Sequence, residues 1–352
     1  MTIKNTVPGA LRVWLPAIRA NSGADIFVIR LAQALRRAGH VPLVQWFNHG
    51  YELIPELMNL HKKPEHIDII HANSWNSYVF LGQDIPLVTT VLHVVHDPAY
   101  APYRSMAQAL YHRGNVWWRE AFAIEHSTAV TAISNYVGQT VRDIFGRMSV
   151  QIIANWVDTD LYKPSPEYKL PVSHRFRLFM VGNHSRRKGY DLLTAFGKAL
   201  GPDYDLRCTG GLRGHGSSAG NANVTFLGRL SEEDLLHEYK YCDAVLSLSR
   251  YEGFGYTALE GMACGKPFLG FNTSGLTDVV VDGITGYLVP INDVTALVER
   301  CTQLSKNIKL FENMGHAGRQ RALNVFTEKV AVDSYIALYR TAIMYFHKLK
   351  RV

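Results

Sequence analysis

Arg250-Tyr251-Glu252-Gly253-Phe254-Gly255-Tyr256-Thr257-Ala258-Leu259-Glu260-Gly261-Met262-Ala263-Cys264-Gly265-Lys266-Pro267 is the stretch that decides the fold. It follows an apolar run, Ala244-Val245-Leu246-Ser247-Leu248, which reads as a buried strand. Gly253 and Gly255 permit a tight turn and close backbone approach. A helix is expected from Gly255 to Cys264, closed by Gly265. Strand, glycine turn and helix in that order leave free N–H groups at the helix start, where an anion is favoured. Glu252 precedes the helix and Glu260 lies about two turns along it, so both carboxylates can line one ligand edge. A carboxylate there suits paired sugar hydroxyls.

A second phosphate-type element stands upstream: Val181-Gly182-Asn183-His184-Ser185-Arg186-Arg187-Lys188-Gly189. It reads as strand end, small loop, cations and helix start. Arginine holds two phosphate oxygens at once, and lysine supplies a point charge. Two helix starts with Arg187 and Lys188 between them would hold a diphosphate without a metal.

The surrounding chain alternates strand and helix. Strands are expected at Leu11–Leu15, Val41–Trp46, Ile67–His71, Leu87–Leu92 and Ala129–Ile133, with a helix from Ile26 to Ala38 ended by Gly39. The pattern restarts with strands at Arg177–Val181, Asp205–Thr209 and Val224–Leu227 and helices from Asp191 and from Ser231. Between the halves, Lys163–Pro171 is rich in proline and polar residues and reads as a linker. The fold class is α/β with two Rossmann-like domains facing across a cleft. The expected divisions are 1–165, 166–335, and a helix at 336–352 packing back toward the first domain.

Composition agrees with an ordinary enzyme. The chain has 352 residues, 47% hydrophobic and 19% charged, enough for two cores. The net charge of +7 splits into +2 for residues 1–165 and +5 for 166–352, with no basic stripe for a nucleic acid. The tail Lys348-Leu349-Lys350-Arg351 reads as solvated, with an anionic membrane surface as the second reading. Cys208, Cys242, Cys264 and Cys301 are widely spaced in apolar contexts and read as buried thiols. No signal-peptide pattern opens the chain and no run of about 18 apolar residues occurs. A cytoplasmic place is expected, with peripheral contact at the inner face of the membrane as an extension.

The sequence resembles the GT-B-fold retaining glycosyltransferases of family 4, the "group 1" class. Their hallmark is two glutamates separated by seven residues, here Glu252 and Glu260. The resemblance also takes in Ser22-Gly23-Ala24-Asp25, Ile69–Asn73, Ile153–Asp158, Gly182–Gly189, Phe226–Arg229, Ser274–Asp278, Asp282–Gly286 and Tyr335–Arg340. It implies a UDP- or GDP-sugar donor bound by the nucleotide-sugar domain 166–335, a glycan or lipid-linked acceptor on the side of domain 1–165, and surface polysaccharide or lipopolysaccharide synthesis. No cofactor and no metal are implied. Glu252 would contact the donor sugar and Glu260 the ribose hydroxyls. Arg187 and Lys188 would grip the diphosphate as it leaves, helped by N–H groups along Phe254, Gly255, Tyr256 and Thr257. Gly253, Gly182 and Gly23 would allow close approach. His93, with His96 as alternative, would line the site. Three departures stand out: Asn183 where many members have arginine, Ser22 for a glycine, and Asp25 and Asp278 for glutamates.

Other readings were weighed against these. A sugar-nucleotide epimerase of the same fold and a non-catalytic nucleotide-sugar-binding module remain alternatives. Asp158-Thr159-Asp160 has the spacing of a metal-binding pair but reads as a turn. Gly261–Pro267 has proline where a P-loop needs serine or threonine. Gly210–Gly216 reads as a loop and His71 as structural. Trp117-Trp118-Arg119, with Tyr111 and Arg113, reads as core packing or as a membrane-facing helix.

Overall fold

The strand Arg12–Ile18 (β1) pairs along its whole length with Val41–Phe47 (β2) and, on its other edge, with Ile69–Asn73 (β3). The structure, a computed structural model, describes residues 9–168, 175–210 and 223–350. Leu87–Val91 (β4), Ala129–Ala132 (β5) and Gln151–Ile152 (β6) complete a parallel sheet in the order β2-β1-β3-β4-β5-β6. Every residue of β4 is buried, as expected of a strand covered on both faces. The helices around this sheet are Gly23–Arg37 (α1), Met106–Tyr111 (α2), Trp117–His126 (α3) and Asn135–Phe145 (α4). A π-helical turn, His112–Val116, joins α2 to α3.

α1 starts at Gly23, earlier than the apolar periodicity suggests. Ser22 caps it by accepting from the Ala24 N–H. Both Asp25 oxygens accept backbone N–H bonds, from Ala20 and Asn21, each at 3.0 Å. Asp25 therefore folds the preceding loop back on the helix start. The helix closes at Arg37, and Gly39 takes the left-handed φ of 81° that turns the chain into β2.

The second sheet is built from Phe176–Met180 (β7), Tyr204–Thr209 (β8), Val224–Gly228 (β9), Ala244–Ser247 (β10), Phe268–Phe271 (β11) and Gly286–Val289 (β12). Its order is β12-β11-β10-β7-β8-β9, all parallel. That is the doubly wound order, in which successive strands run outward from a central pair in opposite directions. The central pair is β7 and β10. Leu193–Leu200 (α5), Glu232–Tyr241 (α6), Tyr256–Ala263 (α7), Leu276–Val279 (α8), Val294–Ser305 (α9) and Ile308–Val325 (α10) accompany it. Ser231 caps α6 by accepting from the Asp234 N–H. β11 and β12 had no counterpart in the sequence reading. Both are short, and Gly270 and Gly286 interrupt their apolar runs. A Cβ at Gly286 would lie 2.2 Å from the Phe268 carbonyl oxygen.

The chain divides into Met1–Ala154 with Glu328–Val352, and Asn155–Thr327. The expected break at 165/166 therefore lies inside the second unit. The proline-rich stretch is not a free linker where it is described. Tyr168 donates its hydroxyl to the buried Asp243, and the Lys266 ammonium sits 3.1 Å from the centre of its ring. Composition reveals prolines and polar residues but not a docked aromatic ring. Residues 169–171 of that stretch lie outside the described residues.

The expected break at 335/336 falls inside a single helix, Glu328–Leu349 (α11), which belongs with the first unit. Its buried face includes Tyr335, Leu338, Tyr339 and Ala342. Tyr339 meets the His71 Nδ1 at 2.6 Å, and the other ring nitrogen of His71 lies against the Thr90 hydroxyl. His71 is thus a structural histidine. Burial pulls its pKa down to about 3, so it stays neutral.

Candidate active site

In doubly wound sheets, ligands bind beyond the carboxyl ends of the strands where the strand order reverses. In the second unit that place is between β7 and β10. The loop after β7 carries Arg187 and Lys188, and the loop after β10 carries Glu252. Lys188 donates its ammonium to the Glu252 carboxylate. Arg187 Nη1 lies 3.8 Å from the other Glu252 oxygen and donates at 2.8 Å to the Tyr251 carbonyl. The Lys188 and Glu252 side chains are only 16% and 15% exposed, whereas Arg187 is 30% exposed.

The electrostatics follow from this geometry. Burial alone would raise the Glu252 pKa, but Lys188 and Arg187 outweigh it and hold the carboxyl below its usual range. Burial lowers the Lys188 pKa; Glu252 opposes that shift and Arg187 adds to it. Two cations face one carboxylate, so the cluster carries a net positive charge.

Three glycines make the close approach possible. Gly189 has φ 72°, and a Cβ there would lie 2.2 Å from the Leu248 carbonyl oxygen. That contact presses the cation loop against the end of β10. Gly255, at φ 109°, caps the start of α7. A Cβ at Gly275 would lie 2.1 Å from the Gly253 oxygen, so the turn after β11 packs directly on the Glu252–Gly253 turn. Phe254 is buried and packs edge-on against Phe326 and Tyr256. That packing anchors the turn from which α7 begins. Gly182 donates to the Thr209 hydroxyl at 3.2 Å, and its carbonyl accepts from Tyr190 at 2.7 Å.

Glu260 sits on α7 and is buried. The Tyr239 phenol of α6 is beside it; burial first, and then the Glu260 charge, push that phenol's pKa well up. Thr257 is half-buried on the first turn of α7.

In the first unit the strand order reverses between β1 and β3. Near the end of β1 lies a narrow recess of about 10 Å³, room for roughly one water, lined by Ile18, Glu52, Trp75, Tyr111 and Arg119 among others. Gly23, at the start of α1, would place a Cβ in open space. His93 follows β4, is half-buried, and its ring is 5.8 Å from that of Trp75. His96 is packed edge-on under Trp117 at 4.8 Å and near His112, and burial pulls its pKa down to about 4.

The family model for glycosyl transferases group 1 matches residues 167–321, and that for Glycosyltransferase Family 4 matches residues 41–161. The chain belongs to the GT-B glycosyltransferases of family 4. It is 26% identical over 301 residues to N-acetyl-alpha-D-glucosaminyl L-malate synthase of Bacillus anthracis, covering 78% of this chain and 75% of that one. It is 32% identical over 133 residues to O-antigen chain mannosyltransferase C of Escherichia coli, covering 37% of this chain and 36% of that one. Among solved structures, sucrose-phosphate synthase from Thermosynechococcus elongatus superposes with a TM-score of 0.80 at 21% identity, over 94% of this chain and 98% of that one. The Anabaena protein Alr3699/HepE in complex with UDP and glucose gives 0.73 at 19%, over 94% and 100%.

In this family 4 glycosyltransferase the sequence-predicted residues fall into three places. Glu252, Arg187 and Lys188 meet in one cluster, with Gly253, Phe254, Gly255 and Tyr256 forming the turn beside it. Glu260 is further along α7, and Gly23 and His93 lie in the first unit. Two residues of the cluster's loops, and one buried acid away from it, were not read from the sequence. Ser274, at φ 34°, accepts the Glu252 N–H at 2.7 Å. Arg250 is buried under the loops. Glu120, on α3, is fully buried in the first unit, where the Ser74 hydroxyl donates to it at 2.6 Å.

The decoys resolve. Asp158 Oδ1 accepts from the backbone N–H groups of Asp160 and Leu161, which makes it a turn residue. Among the described residues, no group of three or more His, Cys, Asp or Glu could hold a metal ion. All four cysteines are buried free thiols. Residues 211–216 of the Gly210–Gly216 loop, and Arg351 of the tail, lie outside the described residues.

Proposed function

We propose that this glycosyltransferase moves a sugar from UDP- or GDP-sugar to a glycan or lipid-linked acceptor, with retention of anomeric configuration and without a metal. The observation that carries this reading is the cation pair, Arg187 and Lys188, set beside Glu252 at the switch point of the second sheet. The diphosphate takes the place now occupied by the Glu252 oxygens on the Lys188 ammonium. That exchange frees Glu252 to orient hydroxyls of the donor sugar. As the glycosidic bond breaks, charge builds on the leaving phosphate, and the fixed cations and the N–H groups entering α7 stabilise it. Attack from the face of the departing diphosphate gives retention. Glu260 holds the ribose hydroxyls, with its carboxylate set by the packing of α7 on α6.

The acceptor is assigned to the first unit, beyond the carboxyl ends of its strands where their order reverses between β1 and β3. His93 is assigned to the same side ahead of His96, whose ring is packed among Trp117, His112 and Phe145. Similarity to an O-antigen mannosyltransferase and to a Staphylococcus aureus capsular polysaccharide biosynthesis glycosyltransferase supports a place in surface polysaccharide synthesis. Thermal unfolding with UDP, GDP and ADP tests the donor side. One diphosphate should raise the melting temperature in a concentration-dependent way, as any ligand of the folded state does. A flat response to all three would remove the reading.

No helix among the described residues is long and apolar enough to cross a membrane. Yet α2, the π-turn and α3 expose Met106, Leu110, Trp117, Trp118 and Phe122, with Arg113 beside them. Exposed tryptophans next to a cation suit the interfacial layer of an anionic bilayer. The enzyme should co-sediment with vesicles containing an anionic phospholipid and much less with neutral ones. A Trp117→Ala/Trp118→Ala variant should lose most of that binding. Equal partition of both proteins would count against peripheral contact.

A further inference from the structure

Four loops leave the carboxyl ends of β7, β10, β11 and β12, and one buried residue of the second joins it to the other three. Arg250, in the loop after β10, is 5% exposed. Its guanidinium donates to the Arg186 carbonyl and to both Asp191 oxygens, at 2.6 and 2.8 Å, in the segment after β7. Its Nε donates at 2.5 Å to the Asn292 side-chain oxygen, in the segment after β12. Its backbone joins in: the Arg250 N–H donates to the Arg187 carbonyl at 2.8 Å, and the Thr273 hydroxyl after β11 donates to the Arg250 carbonyl at 2.7 Å.

We infer that Arg250 is a positioning residue for the diphosphate grip. It touches neither donor nor acceptor but holds the Arg187–Lys188 loop at a set distance from Glu252. The inference rests on the proposed donor site. Its physical basis is that the cations and the carboxylate stand on different loops. Loops so placed keep a fixed spacing only if something rigid links them, because each is short and surface-facing. A planar guanidinium with donors aimed in several directions does this, and a lysine cannot. Bringing Arg187 and Lys188 to the phosphates then costs no ordering at the moment of binding, which is what preorganised electrostatic catalysis requires.

Asn292 provides the clean test. Its φ is 69°, the left-handed region that glycine adopts freely. Asn292→Gly therefore removes the Nε acceptor and relieves backbone strain together. Asn292→Gly, Arg250→Lys and Arg250→Met would each be compared with wild type for melting temperature, for nucleoside diphosphate affinity by calorimetry, and for kcat and KM with a hydrolysed or transferred donor. Asn292→Gly should keep or raise the melting temperature while weakening diphosphate binding about threefold to fivefold. Arg250→Lys should weaken it about tenfold and lower kcat by about the same factor or more, at temperatures where circular dichroism shows it folded. Arg250→Met should do worse than Arg250→Lys. A merely structural arginine would change melting temperature alone. Wild-type binding matched by Asn292→Gly and by folded Arg250→Lys overturns the assignment and leaves the donor site standing. A wild-type protein that binds no nucleoside diphosphate overturns both.

Discussion

Lys188→Met should lower turnover by about a thousandfold while the protein still folds. Removing one group that stabilises developing charge costs about a hundredfold to a thousandfold in rate, and Lys188 is the more buried of the two cations in the cluster. Methionine keeps much of the side-chain volume, so packing around Gly182 and Tyr190 survives. The change leaves Glu252 largely buried, with Arg187 as its remaining cation at 3.8 Å. Breaking a buried pair from one side costs about 3–5 kcal/mol, and the partial exposure here reduces that figure. A double variant, Lys188→Met/Glu252→Gln, separates the two effects. It leaves no buried carboxylate without its lysine, and Arg187, 30% exposed and bonded to the Tyr251 carbonyl, bears the loss of Glu252 at small cost, so much of the lost melting temperature should return. Its turnover should be no better than that of Lys188→Met, because both groups act on the same reacting complex. Steady-state kinetics beside denaturant unfolding would check this. Recovery of activity along with stability would mean that Lys188 serves the fold and not the reaction.

Glu120→Gln should stabilise the first unit, and the gain should grow with pH. Glu120 has no exposed surface, and burial pushes its carboxyl up to about 8 against an ordinary value of 4.5, with the Ser74 hydrogen bond opposing the shift. Its Oε2 has no hydrogen-bond partner among the described residues. The folded chain therefore keeps this proton where the unfolded chain has lost it. More protons bound to the folded state means that stability falls as pH rises, beginning near 4.5 and ending near 8. Below that window both states are protonated and the penalty is absent. Near neutral pH it is roughly 3 kcal/mol by the usual linkage arithmetic. Glutamine has the shape of the neutral acid and nothing to titrate. Urea midpoints at about pH 5, 7 and 8.5 should converge at the acid end and separate toward the alkaline end. Parallel profiles would show that Glu120 is ionised in the folded protein.

The turns of the proposed donor site were the most legible part of this molecule. Glycines at 253, 255 and 189, cations at 187 and 188 and an acid at 252 can be read because each is a local requirement of one turn. Gly189 and Gly255 adopt the positive φ that such turns demand. The strands β1 to β5 were legible because buried parallel strands are continuous apolar runs. β11 and β12 were not, since glycines break those runs where another backbone crowds in. The break at Ala154/Asn155 was missed for a related reason. Prolines mark a chain that cannot be helical, and nothing in the composition tells whether such a chain hangs free or is pinned by Tyr168.

Arg250 and Glu120 show where reading along the chain stops. As letters, both are charged residues of kinds normally found in solvent. One is buried as a link between separate loops and the other as an acid on the inner face of α3, and both fates come from partners far away in the chain: Asp191 and Asn292 for the first, Ser74 for the second. By itself the sequence determined the α/β alternation, the family and the glycine turns after β7 and β10, because those depend on patterns within a few residues. Only the tertiary structure decided which charges pair and which are desolvated. Those outcomes depend on distances between segments brought together by folding, and burial, not residue type, sets the energy of a charge.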